Sequence, residues 1–161
     1  MQEELDFGGL GRLMALTSND EANVLACLEY RWLFGSQEVY QLVPVTADGG
    51  LPFSRSSAGR FLFHPEATYP VLAEALRAGG TIKVTLLTEQ FSFDDFCARW
   101  QERALPLLAF RQGEVTVVTT DTSFRPEAGW HLVALVHEEV PVLVPSREDR
   151  APTPQGAADP V

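Results

Sequence analysis

Basic charge is scarce in this chain: 12 Lys and Arg stand against 22 Asp and Glu in 161 residues, a formal net charge of -10. A general nucleic-acid surface, or one for anionic lipid, needs Lys and Arg to displace condensed counterions, so neither partner is expected. Arg12, Arg55 and Arg60 remain candidates for a local anion site. Long apolar runs are missing too. No stretch approaches the roughly 18 to 20 apolar residues of a spanning helix, and Met1-Gln2-Glu3-Glu4 is acidic where a signal peptide is basic. The expectation is a soluble, cytoplasmic chain that does not itself insert into a membrane. Cysteine is reduced to Cys27 and Cys97, both at apolar helical positions, which reads as buried free thiols in a reducing compartment.

Catalytic constellations are also lacking. Hydrolysis needs a nucleophile beside a base, and metal catalysis needs clustered ligands. His64, His131 and His137 are scattered, and the neighbouring carboxylates of Asp94-Asp95 and Glu138-Glu139 diverge on a helix or strand. The expectation is no enzyme and no metal within one chain, although carboxylates from two chains leave a shared cation site open. Hydrophobic residues at 45% and charged residues at 21% place the chain among globular proteins, large enough for one core or for two small lobes.

What the sequence does hold is organised around Leu13 to Asn23. Leu13 to Leu16 is a short apolar run suited to a buried strand, and a helix-start signal follows it. Ser18 and Glu21 stand three apart as a capping box. Val24, Leu25, Leu28 and Trp32 recur at helical spacing, Gly35 supplies a left-handed stop, and Glu38 to Val43 reads as the next strand. Residues 12 to 43 thus form a β-α-β crossover with parallel strands. Gly8-Gly9-Leu10-Gly11 precedes a strand instead of following one, so it reads as a turn and not as a phosphate-binding loop. The polar mouth at Thr17, Ser18, Asn19, Asp20 and Asn23 lies at the carboxyl end of a parallel strand, where open α/β sheets place ligands. These five residues are the candidate effector-binding set.

Residues 46–59 form a polar, glycine-rich linker. Arg60 to Phe63 reads as a strand. Thr68 begins a helix with Tyr69, Leu72, Ala73 and Leu76 on one face, closed by Gly79-Gly80. From Thr81 the period becomes two, with Ile82, Val84 and Leu86 on one side of a half-buried strand. Ser92 caps a helix whose Phe93, Phe96, Cys97, Trp100 and Ala104 recur at three and four, with Asp94 and Asp95 in its first turn. Leu105 to Phe110 and Val115 to Thr120 form a hairpin around Gln112-Gly113, and Trp130 to Val136 closes the order. The Tyr69, Leu72, Leu76 and the Phe93, Phe96, Trp100 stripes are expected to be core or dimer faces. The fold class is α/β with an α+β C-terminal part: a partial Rossmann-like unit over 1–45, a small mixed lobe over 60–144, and a disordered proline-containing tail over 145–161.

The string L-x-A-L-T-S-N-D-E-A-N-x-L-A, followed by Phe34-Gly35-Ser36-Gln37-Glu38-Val39-Tyr40-Gln41-Leu42, resembles the late strand-helix step of the RCK domain (regulator of potassium conductance, Trk-type nucleotide-binding). More narrowly, it resembles the form on the cytoplasmic tail of bacterial monovalent cation:proton antiporters. The order after residue 60 is similar to the small lobe that follows such domains. The resemblance implies a non-catalytic ligand-sensing module of a sodium or potassium:proton antiporter, at the cytoplasmic face of the membrane. It implies a homodimer and a membrane-embedded antiporter as partners. The glycine loop of that family is not found ahead of this strand, so no nucleotide cofactor is expected. The alternative is a free-standing α/β binding or interaction module whose aromatic helices mediate assembly. A third, an enzyme acting on a small molecule at the same mouth, follows behind both.

Overall fold

A computed structural model describes residues 11–45 and 58–143. Gly8 to Leu10, Arg55 with most of the expected linker, and the tail lie outside the described residues. The chain is mixed α/β. Its elements run β1 (Leu13–Ala15), α1 (Asp20–Phe34), β2 (Val39–Gln41), β3 (Arg60–Phe61), α2 (Tyr69–Arg77), β4 (Thr81–Leu86), α3 (Phe93–Trp100), β5 (Ala104–Arg111), β6 (Glu114–Val117) and β7 (His131–Val136). A parallel three-stranded sheet takes the order β1-β2-β3, and an antiparallel four-stranded sheet takes the order β4-β7-β5-β6.

The first sheet is the expected crossover. Leu13 pairs with Val39 and Ala15 with Gln41, in parallel, with α1 between the two strands in sequence. Gly35 ends α1 at φ 82°, a value that favours glycine, and its N–H returns to the Arg31 carbonyl. Its ψ of 154° makes it an extended exit and not the expected left-handed turn. The start of α1 differs from expectation. The N-cap is Asn19, whose Oδ1 accepts the Ala22 N–H at 2.9 Å, so Ser18 and Glu21 form no capping box here. The buried stripe is also rotated. Asn23 and Cys27 are buried and Val24 and Leu28 pack beside Ala15 and Val39, whereas Leu25 and Trp32 are 62% and 78% exposed. An apolar count cannot place an asparagine in a core, and the i, i+4 pair Asn23 and Cys27 sets which face turns inward.

In the second sheet the sequence expectations hold for the hairpin, since Gln112 and Gly113 both have positive φ, as a two-residue primed turn requires. The capping box belongs to α3. Ser92 Oγ accepts the Asp95 N–H at 3.2 Å, and Asp95 accepts the Ser92 N–H at 2.9 Å. Phe96 and Trp100 then pack on Leu132, Ala134 and Val136 of β7, which makes their stripe core. Cys97, on the opposite side of α3, is an exposed free thiol and not the buried one expected. Thr68 precedes α2 without a side-chain cap bond. Ala75 is the buried position of α2, Leu72 is partly buried against the same cluster, and Tyr69 and Leu76 remain 38% and 50% exposed. Strand β4 is an edge strand, and its Ile82, Val84 and Leu86 are exposed instead of half-buried.

The two sheets meet through the segment after Gly59. There β3 pairs in parallel with β2, and the next residue, Leu62, bridges antiparallel to Thr119. Tyr40, Leu42, Leu62 and Val117 form one buried cluster from both sides. Gly59 lets the chain enter β3 close against α1, because a Cβ there would stand 2.8 Å from the Cys27 Sγ. Loss of the cap in Asn19→Ala is expected to cost about 0.5 to 2 kcal/mol while Ser18→Ala costs little. Phe96→Ala, a buried aromatic truncation, is expected to cost about 3 to 5 kcal/mol. Urea unfolding of the three variants measures all of this, and an equal cost for Ser18→Ala and Asn19→Ala would contradict the cap assignment.

Candidate functional site

At the carboxyl end of β1 the candidate residues come together, and most of their polar atoms are spent on each other. The Thr17 hydroxyl donates to Asn23 Oδ1 at 2.7 Å, the Thr17 N–H donates to the same oxygen at 3.1 Å, and Asn23 Nδ2 donates to the Thr17 carbonyl at 3.0 Å. Asn23 is 1% exposed, so this clasp is a buried amide satisfied by one residue, and it fixes how α1 leaves β1. Asn19 serves as the cap, and Asp20 Oδ2 accepts the Val45 N–H at 2.9 Å. Ser18 is exposed. Of the five, Ser18 and the outer faces of Thr17 and Asp20 are what this mouth can offer a ligand. On the neighbouring strand, Gln41 Oε1 is buried without a hydrogen-bond donor among the described residues.

A second polar constellation lies where the sheets join. Arg60, at the start of β3, donates through Nη2 to Thr119 Oγ1 at 2.9 Å, Asp121 Oδ1 at 3.0 Å and Thr122 Oγ1 at 3.1 Å, and through Nε to Asp121 Oδ2 at 3.3 Å. The fork matches a carboxylate in a way that an ammonium cannot. Its guanidinium also stands 5.7 Å from the Tyr40 ring centroid. Arg12 also crosses the seam, donating through Nη2 to the Val115 carbonyl at 3.0 Å, while its Nε donates to Glu38 Oε2 at 2.6 Å on its own side. The Tyr40 hydroxyl donates to the same Glu38 oxygen at 3.3 Å. Arg12, Glu38, Tyr40 and Arg60 from the first sheet, with Val115 and Thr122 from the second lobe, line a groove of about 260 Å³.

The structure therefore brings Arg12 and Arg60 to one groove, as an anion site would need, but gives each a carboxylate partner, Glu38 and Asp121. Their charges cancel locally. The Asp121 carboxyl is held below its usual range, chiefly by hydrogen bonds from Arg60 and Thr119. Burial, and then the charge of Glu38, raises the Tyr40 phenol. Burial pushes the Cys27 thiol up to about 11. Among the described residues no group of three or more His, Cys, Asp or Glu is placed to hold a metal ion.

The three histidines do structural work. His137 Nδ1 accepts from the Glu139 and Val140 N–H groups, and its Nε2 lies 2.8 Å from the Ala78 carbonyl. His131 stacks on Phe110 at 4.9 Å, and His64 Nδ1 accepts the Glu66 N–H. The seam was hidden from the sequence because Arg60 and its partners lie about 60 positions apart; positive charge at Arg12 and Arg60 was the signal available.

Two outcomes follow from these contacts. Arg60→Ala should lower stability by about 1 to 2 kcal/mol, with the charged hydrogen bonds discounted for the exposure of Asp121, and Arg60→Lys should recover part of that loss. Because the folded Asp121 pKa is depressed, its contribution is present above the unfolded value and is lost as pH falls through the folded one. The acid limb of stability below about pH 4 should therefore flatten in Arg60→Ala. For Cys27 the sign is opposite. A raised folded pKa means that stability is full below the unfolded value and declines as pH rises toward about 11. Thiol labelling at pH 8 should accordingly modify Cys97 and spare Cys27 until the chain unfolds, and rapid labelling of both would contradict the burial of Cys27.

Comparison with known protein families, curated proteins and solved structures finds no match for this chain.

Proposed function

We propose that the chain is a non-catalytic regulatory module of a monovalent cation:proton antiporter, a cytoplasmic unit that senses a ligand and passes its presence to a membrane-embedded partner. The reading starts from the T-S-N-D-E-A-N string and its strand-helix setting. The observation that carries it furthest is the groove at the seam, because residues of both sheets line it and a ligand seated there would touch both at once. A bound molecule would then bias how the Arg12 and Arg60 contacts hold the two sheets, which is the differential interaction any ligand-driven change requires. No helix among the described residues is long and apolar enough to cross a membrane, so the transporting part would lie elsewhere.

The ligand is a cation or a neutral polar molecule in this reading, and not a nucleotide. A phosphate is held by glycine-loop amides and an open helix N-terminus. Here the N-terminus of α1 is closed by Asn19 and carries Asp20 and Glu21 in its first turn. At about 4 Å and an effective dielectric near 20, each like-charge contact costs on the order of 4 kcal/mol before screening, comparable to a whole millimolar binding free energy. At the seam, both arginines already hold carboxylates.

Two measurements test the proposal. Cation:proton exchange in membrane vesicles, compared with and without residues 11 to 143 on the transporter, should persist while its dependence on ion concentration or pH shifts; identical profiles would refute a regulatory role. Calorimetric titration with ATP and with NAD should give no binding tighter than about 1 mM. Micromolar affinity for either, lost in Asn19→Ala, would return a nucleotide to the mouth of α1.

A further inference from the structure

Strand β4 carries an exposed apolar row among the described residues. Ile82, Val84 and Leu86 are 55%, 54% and 50% exposed, they lie on one side of the strand, and β4 has a neighbour, β7, on one edge among the described residues. The opposite edge of that sheet is engaged. Beyond β6 the Val115 carbonyl accepts from Arg12, the Phe63 N–H donates to the Val118 carbonyl, and Leu62 bridges to Thr119. Natural edge strands are commonly guarded by an outward charge, a proline or a bulge. The six residues of β4 contain neither proline nor carboxylate. Their single charge, Lys83, is folded over the Trp100 ring at 4.9 Å on the other side of the strand. In a chain of net charge -10, this is an edge at which two copies can meet without opposing carboxylates.

The backbone of β4 is oriented for such a meeting. Leu87 donates to the Trp130 carbonyl and accepts from the Gly129 N–H, so its peptide groups turn inward toward β7. Alternation in an antiparallel pair then turns those of Thr85, Lys83 and Thr81 inward, and those of Ile82, Val84 and Leu86 outward. The residues whose N–H and carbonyl groups have no strand partner among the described residues are therefore the same three that carry the exposed apolar side chains.

We propose that two copies of the chain associate through this edge by antiparallel pairing of β4 with β4, about a two-fold axis at Val84. Side-chain and charge matching favour this register. With Val84 facing its own counterpart, Ile82 faces Leu86 of the other copy, every outward amide meets a carbonyl, and Lys83 faces Thr85 rather than another lysine. A shift by one residue sets apolar side chains against threonine and Lys83 and loses the hydrogen bonds. A shift by two residues toward the N-terminus puts Lys83 directly opposite Lys83, which is unfavourable. An isologous strand pair closes as a dimer and uses up the β4 edge of both copies. The Phe93, Phe96, Trp100 stripe expected from the sequence does not compete for this role, since Phe96 and Trp100 are buried in the core of one chain. The assignment is independent of the ligand reading, because the seam groove lies at the opposite edge of the four-stranded sheet.

The test is sedimentation equilibrium of the whole chain at about 100 µM, where an interface built on one strand pair should be populated. A dimer is expected, and Val84→Lys, which alters an exposed side chain, should raise its dissociation constant at least about tenfold with an unchanged circular dichroism spectrum. In a Cys97→Ser background, Val84→Cys should form a disulfide-linked dimer on mild oxidation, because facing hydrogen-bonded residues sit about 5.5 Å apart at Cα, within disulfide range. Thr85→Cys in the same background should not. A monomer, a dimer indifferent to Val84→Lys, or cross-linking through Thr85→Cys in preference to Val84→Cys would each overturn the proposal. A monomer in which the Ile82, Val84 and Leu86 amides resist hydrogen exchange would show the edge covered by another part of the same chain.

Discussion

The contact on which the rest of this structure depends is the Arg60 guanidinium. It stands at the first residue of β3, in register with Tyr40 of β2, and reaches Thr119, Asp121 and Thr122 beyond the end of β6. A small parallel sheet of two- and three-residue strands has little area of its own to bury. It becomes a stable element by sharing Tyr40, Leu42 and Leu62 with Val117, a cluster assembled only when the sheets are held edge to edge. Apolar burial supplies the driving force. The Arg60 fork, with the Arg12 contacts beside it, supplies the direction. A ligand entering the groove between them would meet the groups that set the arrangement of the two sheets.

Much of the fold could be read from local pattern. The crossover from β1 through α1 to β2 was legible because an apolar run, a helical repeat and a glycine stop occur in the one order that such a unit allows. The hairpin was legible because Gln112-Gly113 sits between two strand-like runs, and α3 because Ser92 stands as a cap ahead of an apolar stripe at spacings of three and four. What failed was any feature decided by a residue acting against its type. Asn23 occupies a core position because its amide closes on Thr17, and that rotation exposes Leu25 and Trp32. The cap of α1 lies one residue beyond Ser18, at Asn19, whose own N–H donates to the Thr17 hydroxyl that closes on Asn23.

The candidate site was legible in part. The residues at the mouth of α1 do gather, but the sequence could not say that they would satisfy one another so completely. A run of hydroxyls and amides looks the same whether its bonds point outward to a ligand or inward to a clasp. The seam lay beyond reach because charge pairs separated by some 60 positions leave no periodic trace. Alternation likewise gave β4 correctly, but the half-burial expected of it does not hold: its apolar side is exposed on an edge strand.

Native-state hydrogen exchange across increasing denaturant tests most directly whether the two sheets form one unit. The Leu42 amide, bonded to Ala15, reports the first sheet, the Phe63 and Thr120 amides, bonded to Val118 and Phe61, report the seam, and the Leu132 and Ala134 amides report the core of the second sheet. If the seam governs the fold, the slowest-exchanging amides of all three regions converge on one opening free energy with the same denaturant dependence. Exchange of the first sheet and the seam at a distinctly lower free energy, while β7 stays closed, would contradict this account and leave the parallel sheet an appendage of the antiparallel one.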